Sequence, residues 1–153
     1  MEFVFNVIKQ SRANIIAAVE GLSNEQLNEI PEGFNNNIAW NLGHILVTQQ
    51  LLCYTLSGYL PKIPESIIED FRKGTAPNKT YSFFDIQGIK KLLVESAEVL
   101  ELDYNNNTFT EYKEYTTSYK ITLKNIDDAI YFNSLHEGLH LGYIMALKKI
   151  ISN

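Results

Sequence analysis

The last long stretch of the chain, from Asn125 to Ile151, contains no proline and is apolar around most of its circumference. Within it Ala129, Phe132, His136, His140, Tyr143, Leu147 and Ile150 recur at spacings of three and four. Two histidines therefore sit on the stripe that a helix buries. Asn125 suits an N-cap, and Asp127 and Asp128 suit a first helical turn. The pattern predicts one long helix, apolar nearly all round and so the most buried element of the fold.

A helix that must be surrounded needs other elements to surround it. Phe5, Ile8, Ile15, Ile16, Val19 and Leu22 predict a first helix over residues 3–22, with Arg12 inside the apolar stripe. An arginine there either pairs with a buried carboxylate or faces a cavity and waits for an anion. Ser23-Asn24-Glu25-Gln26 reads as a capping box that opens a short turn ended by Pro31 and Gly33. Asn35-Asn36-Asn37 precede a second long helix, running from Ile38 towards Ser57-Gly58, with Trp40, His44, Val47, Leu51 and Tyr54 on one stripe. Cys53 falls about half a turn from His44 and reads as a core thiol. Ser82-Phe83-Phe84-Asp85 opens the third long helix, which Asn105-Asn106-Asn107 end.

The connection from Gly58 to Tyr81 holds three prolines and a short helix near Glu65–Lys73. It is long enough to run the length of a helix, so the second and third long helices need not be antiparallel neighbours. Between Thr108 and Lys124, Tyr112, Tyr115, Tyr119 and Ile121 alternate with threonines, which predicts a small hairpin whose tyrosines wall or cover one end of the structure. The expected fold is all-α: a four-helix bundle forming one domain over residues 1–153, with a hairpin before the last helix.

Composition narrows the function. A chain of 153 residues with 45% hydrophobic content can bury a sizeable core. Its net charge of −5, with only Arg12 and Arg72 as arginines, argues against nucleic acid as a partner. A lone cysteine excludes an internal disulfide framework and suits a reducing compartment. No signal peptide or membrane-length apolar run is visible, so the expected location is cytoplasmic, with no membrane partner.

His44 is the only histidine besides His136 and His140. If the three converge, they offer three imidazole nitrogens to a divalent metal and leave a position open. The string His136-Glu137-Gly138-Leu139-His140 also satisfies H-E-x-x-H, in which a zinc protease uses the glutamate as base. That reading wants a third ligand downstream, and the thirteen residues after His140 hold no histidine, aspartate or glutamate. A carboxylate-bridged di-iron site wants a second E-x-x-H, but Asn41 stands where its glutamate would be. Histidines satisfied by core acceptors, with no metal, complete the alternatives.

The segment Asn37-Ile38-Ala39-Trp40-Asn41-Leu42-Gly43-His44-Ile45 resembles the second-helix signature of the DinB/YfiT-like superfamily. The segment His136-Glu137-Gly138-Leu139-His140-Leu141-Gly142 is similar to its fourth-helix H-x-x-x-H. The order and separation of the two motifs match over nearly the whole chain. The resemblance implies a bundle of up-down-down-up order, with a divalent metal, nickel or zinc, held by His44, His136 and His140. It further implies a transferase that uses a low-molecular-weight thiol as cosubstrate on a small-molecule substrate, and a homodimer. A metal-dependent hydrolase and a non-enzymatic metal- or ligand-binding bundle are the alternatives. Three residues are candidates for catalytic roles: Asn41, one turn before His44, to orient a bound group; Arg12 to hold a substrate carboxylate; and Glu137 as base or as acceptor behind the ligands. Helix rotation points Glu137 off the ligand face, towards solvent or a partner subunit. Tyr143 either closes the pocket or packs.

Overall fold

Side-chain caps set where most of the helices begin in the computed structural model, which describes residues 1–152. Helix α1 (Glu2–Val19) precedes α2 (Asn24–Asn28), which Ser23 and Gln26 open with a reciprocal capping box. Asn37 accepts from the Trp40 amide at 2.7 Å and starts α3 (Ile38–Gln49). The chain then continues through a π-helical turn (Gln50–Tyr54) and a 3-10 turn (Thr55–Ser57), and Gly58 ends it at φ 79°. Helix α4 (Glu65–Phe71) follows in the long connection. Ser82 and Asp85 cap α5 (Phe83–Asn105). A hairpin pairs β1 (Tyr115–Thr116) antiparallel to β2 (Thr122–Leu123), and Lys120 at φ 60° turns it. Asn125 then caps α6 (Ile126–Ile151) through the Asp128 amide.

Side-chain contacts fix the directions. Lys9 reaches Glu101 and Arg12 reaches Ser96, so α1 and α5 run antiparallel. Arg12 also meets Glu137, while Ala17 and Ala18 border the groove beside Leu141 and Met145, so α1 and α6 run parallel. Asn41 reaches His140 and His44 lies beside His136, so α3 opposes α6. Gln49 reaches Ser96 and Tyr54 reaches Asp103, so α3 and α5 run together. In chain order the long helices point up, down, down, up. Helices α1 and α3 each pack on both α5 and α6 and form opposite corners.

The core falls into two apolar halves. One holds Ile15, Val19, Leu42, Ile45, Leu93, Ile144 and Leu147; the other holds Phe5, Ile8, Leu52, Leu100, Ala129 and Ile130. Each such side chain, fully buried, contributes about 1.5–3 kcal/mol against the entropy of ordering the chain. Between the halves runs a polar band. Arg12 and Glu137, 1% and 0% exposed, form an ion pair at 2.7 Å. The Arg12 guanidinium donates to Glu137, to the Leu93 carbonyl, to Ser96 and to Gln49, so all five of its N–H groups are engaged and all four long helices are tied at one level. Of the two expectations for Arg12, the structure shows the buried carboxylate.

Two expectations need correction. The most enclosed helix is α3, whose residues from Ile38 to Val47 are all buried. Helix α6 leaves Tyr131, Leu135, Leu139 and Met145 exposed on one side, because apolar character all round a helix does not say which side the bundle covers. Glu137 is neither solvated nor turned outward; the rotation that takes it off the histidine face turns it towards Arg12. Among the described residues no helix is long and apolar enough to cross a membrane.

Removing one partner of a buried ion pair strands the other, which costs about 3–5 kcal/mol, whereas replacing both by apolar groups is often near neutral. Arg12→Met is thus expected to lower the unfolding free energy by about 3–5 kcal/mol, and Arg12→Met combined with Glu137→Leu to cost less than Arg12→Met alone. Urea denaturation of the wild type, both single variants and the double variant measures the coupling.

Candidate metal centre

His44 is held by what lies on both sides of its ring. The Trp40 indole stacks on it at 4.5 Å with the planes 12° apart. Its Nδ1–H donates to the carbonyl of Phe71, the last residue of α4, at 2.7 Å. That carbonyl comes close because Gly43 lacks a side chain: a Cβ at Gly43 would collide with the Phe71 ring. With Nδ1 occupied, the lone pair of His44 is left on Nε2.

His140 is oriented in the same way from a different helix. Its Nδ1–H donates to Oδ1 of Asn41 at 2.7 Å, and the Asn41 amide is itself fixed because Nδ2 donates to the Asn37 carbonyl at 2.7 Å. The lone pair of His140 therefore also sits on Nε2, which lies 3.1 Å from Nε2 of His136. Ligand atoms of the three histidines all fall within 4.8 Å of one another.

His136 decides whether the cluster fits a metal. Its Nδ1 is buried without a hydrogen-bond partner. If its proton is on Nε2, that N–H can donate to His140 but the Nδ1 lone pair is stranded. If the proton is on Nδ1, an N–H is stranded and two Nε2 lone pairs face each other. With the proton on Nδ1, a cation among the Nε2 atoms would take up the facing lone pairs, and two imidazole nitrogens on one divalent ion stand about 3–3.4 Å apart. The donor set, three neutral nitrogens, suits nickel and zinc alike.

The electrostatics favour neutral rings. Burial, then the neighbouring His140 and His44, push His136 down to about 2. Burial, then His44, lowers His140 to about 4. Burial also lowers His44, against the pull of the Phe71 carbonyl. Neutral imidazole is the form that ligates.

A cavity of about 370 Å³ opens over the three rings. Leu51, Leu52 and Phe132 line it, with Thr48, Lys73 and the hairpin residues Tyr115 to Tyr119 except Thr116. Of the sequence candidates, the structure brings together His44, His136, His140 and Asn41. Glu137 and Arg12 pair inside the bundle, outside the cavity lining, where Asn133 also donates to Glu137 at 2.7 Å. Cys53 is fully buried and its thiol pushed up by burial. Tyr143 packs edge-on against Phe34. Sequence reasoning missed Phe71 and Lys73. Phe71 acts through its backbone carbonyl, which leaves no trace in residue type, and Lys73 is a loop lysine with no periodicity to mark it; the only signal was Gly43, a glycine inside a helix beside a histidine.

No curated protein matches the chain. The family model of the DinB superfamily matches residues 8–144, a span that takes in all three histidines, Asn41 and the Arg12–Glu137 pair. The chain belongs to the DinB superfamily.

Proposed function

We propose that this protein is a metal-dependent enzyme in which His44, His136 and His140 hold one divalent ion, nickel or zinc, and a low-molecular-weight thiol provides the nucleophile for transfer to a small electrophile. The observation that carries the reading is the pair of Nε2 atoms at 3.1 Å, with a ligand atom of His44 within 4.8 Å of both, in the lining of a 370 Å³ cavity. A divalent ion at three neutral imidazoles acidifies a thiol or water that joins it, supplying a nucleophile at neutral pH.

The remaining residues bind and position. Phe71 and Asn41 orient His44 and His140, and Arg12 with Glu137 holds the rotation of α6 on which His136 and His140 depend. Leu51, Leu52 and Phe132 exclude water from one side of the cavity and suit an apolar electrophile. In the transfer, the thiolate sulfur forms a bond to carbon while the leaving group departs with its electron pair. The cavity wall supports this over hydrolysis. Among the described residues no carboxylate lines it, and Glu137, beside His136 in sequence, has its oxygens taken by Arg12 and Asn133. A carboxylate base or acid is thus not on offer at the cavity, and a thiolate displacing a stable anion needs none.

Elemental analysis of untagged protein is expected to find about one divalent ion per chain, lost in His44→Ala and in His136→Ala. Native protein without metal would refute the site. With metal loaded, a small thiol and an alkyl halide are expected to react at least about tenfold faster than in chelator-treated protein, as the lowered thiol pKa requires. Equal rates with every thiol tried would refute the transferase reading.

The pH dependence of the metal-free protein has a definite sign. The folded rings of His136 and His140 bind protons less readily than the ordinary 6.5, so on acidification the unfolded chain is protonated first. Their contribution to stability is complete above about 6.5 and is lost as the pH falls through about 4 for His140 and towards about 2 for His136. The Tm of chelator-treated protein is therefore expected to fall between pH 7 and 4, and to fall less steeply in His140→Gln. Differential scanning calorimetry over that range measures both slopes.

A further inference from the structure

The cavity over the histidines is unevenly charged. The chain carries a net charge of −5, yet among the described residues no carboxylate lines the cavity and Lys73 supplies its one ammonium. Three neutral imidazoles bring no negative charge to a divalent ion, and Glu137 is neutralised by Arg12 inside the bundle. With such an ion bound, the histidine side of the cavity would be cationic, with no carboxylate in the lining to balance it.

Lys73 is also built into place. It stands two residues after Phe71, whose carbonyl accepts from His44, and one before Gly74, whose φ of 90° makes the turn. Thr75 closes that turn: its amide donates to the Arg72 carbonyl at 3.1 Å, and its hydroxyl lies 2.9 and 2.8 Å from the carbonyls of Asp70 and Arg72. The Trp40 indole N–H donates to the same hydroxyl at 3.0 Å. The backbone on either side of Lys73 is therefore tied to His44 and Trp40, the stacked pair at the site. Lys73 is exposed and, like Lys113 and Lys120, makes no ion pair among the described residues.

We propose, resting on the metal reading above, that the molecule taken into this cavity is an anion with a carboxylate, and that the exposed Lys73 receives that carboxylate. A single ammonium matches the one charge of a carboxylate. The apolar wall of Leu51, Leu52 and Phe132 accommodates its carbon chain. Lys73 is thus a specificity-determining residue: it selects among thiols or substrates by their charge.

Mercaptohexanoate and mercaptohexanol share chain length and thiol and differ in that charge. Their binding to metal-loaded protein can be read by the fluorescence of Trp40, the only tryptophan, stacked on His44. The acid is expected to bind roughly three- to tenfold more tightly than the alcohol, Lys73→Gln to erase the difference, and Lys73→Arg to keep it. Equal affinities in the wild type, a preference that survives Lys73→Gln, or no binding of either compound at millimolar concentration would overturn the proposal. Hexanoate against hexanol on chelator-treated protein separates the two readings. Elemental analysis decides whether the chain takes up metal, while the preference for the acid there decides the role of Lys73 by itself.

Discussion

The buried pair of Arg12 and Glu137 is the interaction on which the arrangement of this bundle depends. Two charges removed from water cost several kcal/mol each, so such a pair persists only where every donor and acceptor finds a partner. Here Arg12 on α1 and its partners span all four long helices: Gln49 on α3, Leu93 and Ser96 on α5, Asn133 and Glu137 on α6. Sliding any one helix by a turn would strand a charge in the core. Apolar packing alone penalises such a slip weakly, since one leucine replaces another; the polar band penalises it heavily. The pair therefore fixes the axial register and the rotation of α6, and with them the position of the two histidines that α6 carries.

How much of this was legible in the sequence follows from what kind of interaction makes each feature. Helices were legible because spacing and caps are local: Ser23, Asn37, Ser82 and Asn125 each bond within three residues of themselves. The three histidines were legible because the only three in the chain fall on stripes that two helices must bury. The partner of Arg12 was not, for Glu137 is 125 residues away and the stripe shows only that something must meet a buried cation. Nor was the order of burial between α3 and α6, because circumferential hydrophobicity records composition and not neighbours. The π-helical turn at Gln50–Tyr54 has no proline or glycine to announce it, so the sequence reads as a straight helix through to Ser57.

The orientation of the histidines shows a further division. Asn41 could be suspected from its place one turn before His44, and at the site it accepts from His140. Phe71 contributes a carbonyl that any residue would carry; what is particular to the sequence is the absence of a side chain at Gly43, which lets α4 approach. Helices and helical turns supply most of the cavity lining, and the turn that carries Lys73 and the hairpin that carries Tyr115 and Tyr119 supply the rest. Loops of this kind have no periodicity, so the scaffold of the site could be read and its selectivity could not.

The string H-E-x-x-H makes the same point at the scale of five residues. On any α-helix the two histidines share a face and the glutamate lies about 100° round from the first. What the glutamate does is decided by what stands on that side. Where the helix floors an open cleft, the carboxylate faces substrate and can serve as a base. In this bundle α1 stands there and presents Arg12, so the carboxylate is spent on an ion pair 0% exposed to solvent and the histidines are left with neutral surroundings. With that carboxylate neutralised and the three histidines uncharged, Lys73 is the one charged side chain that lines the cavity among the described residues.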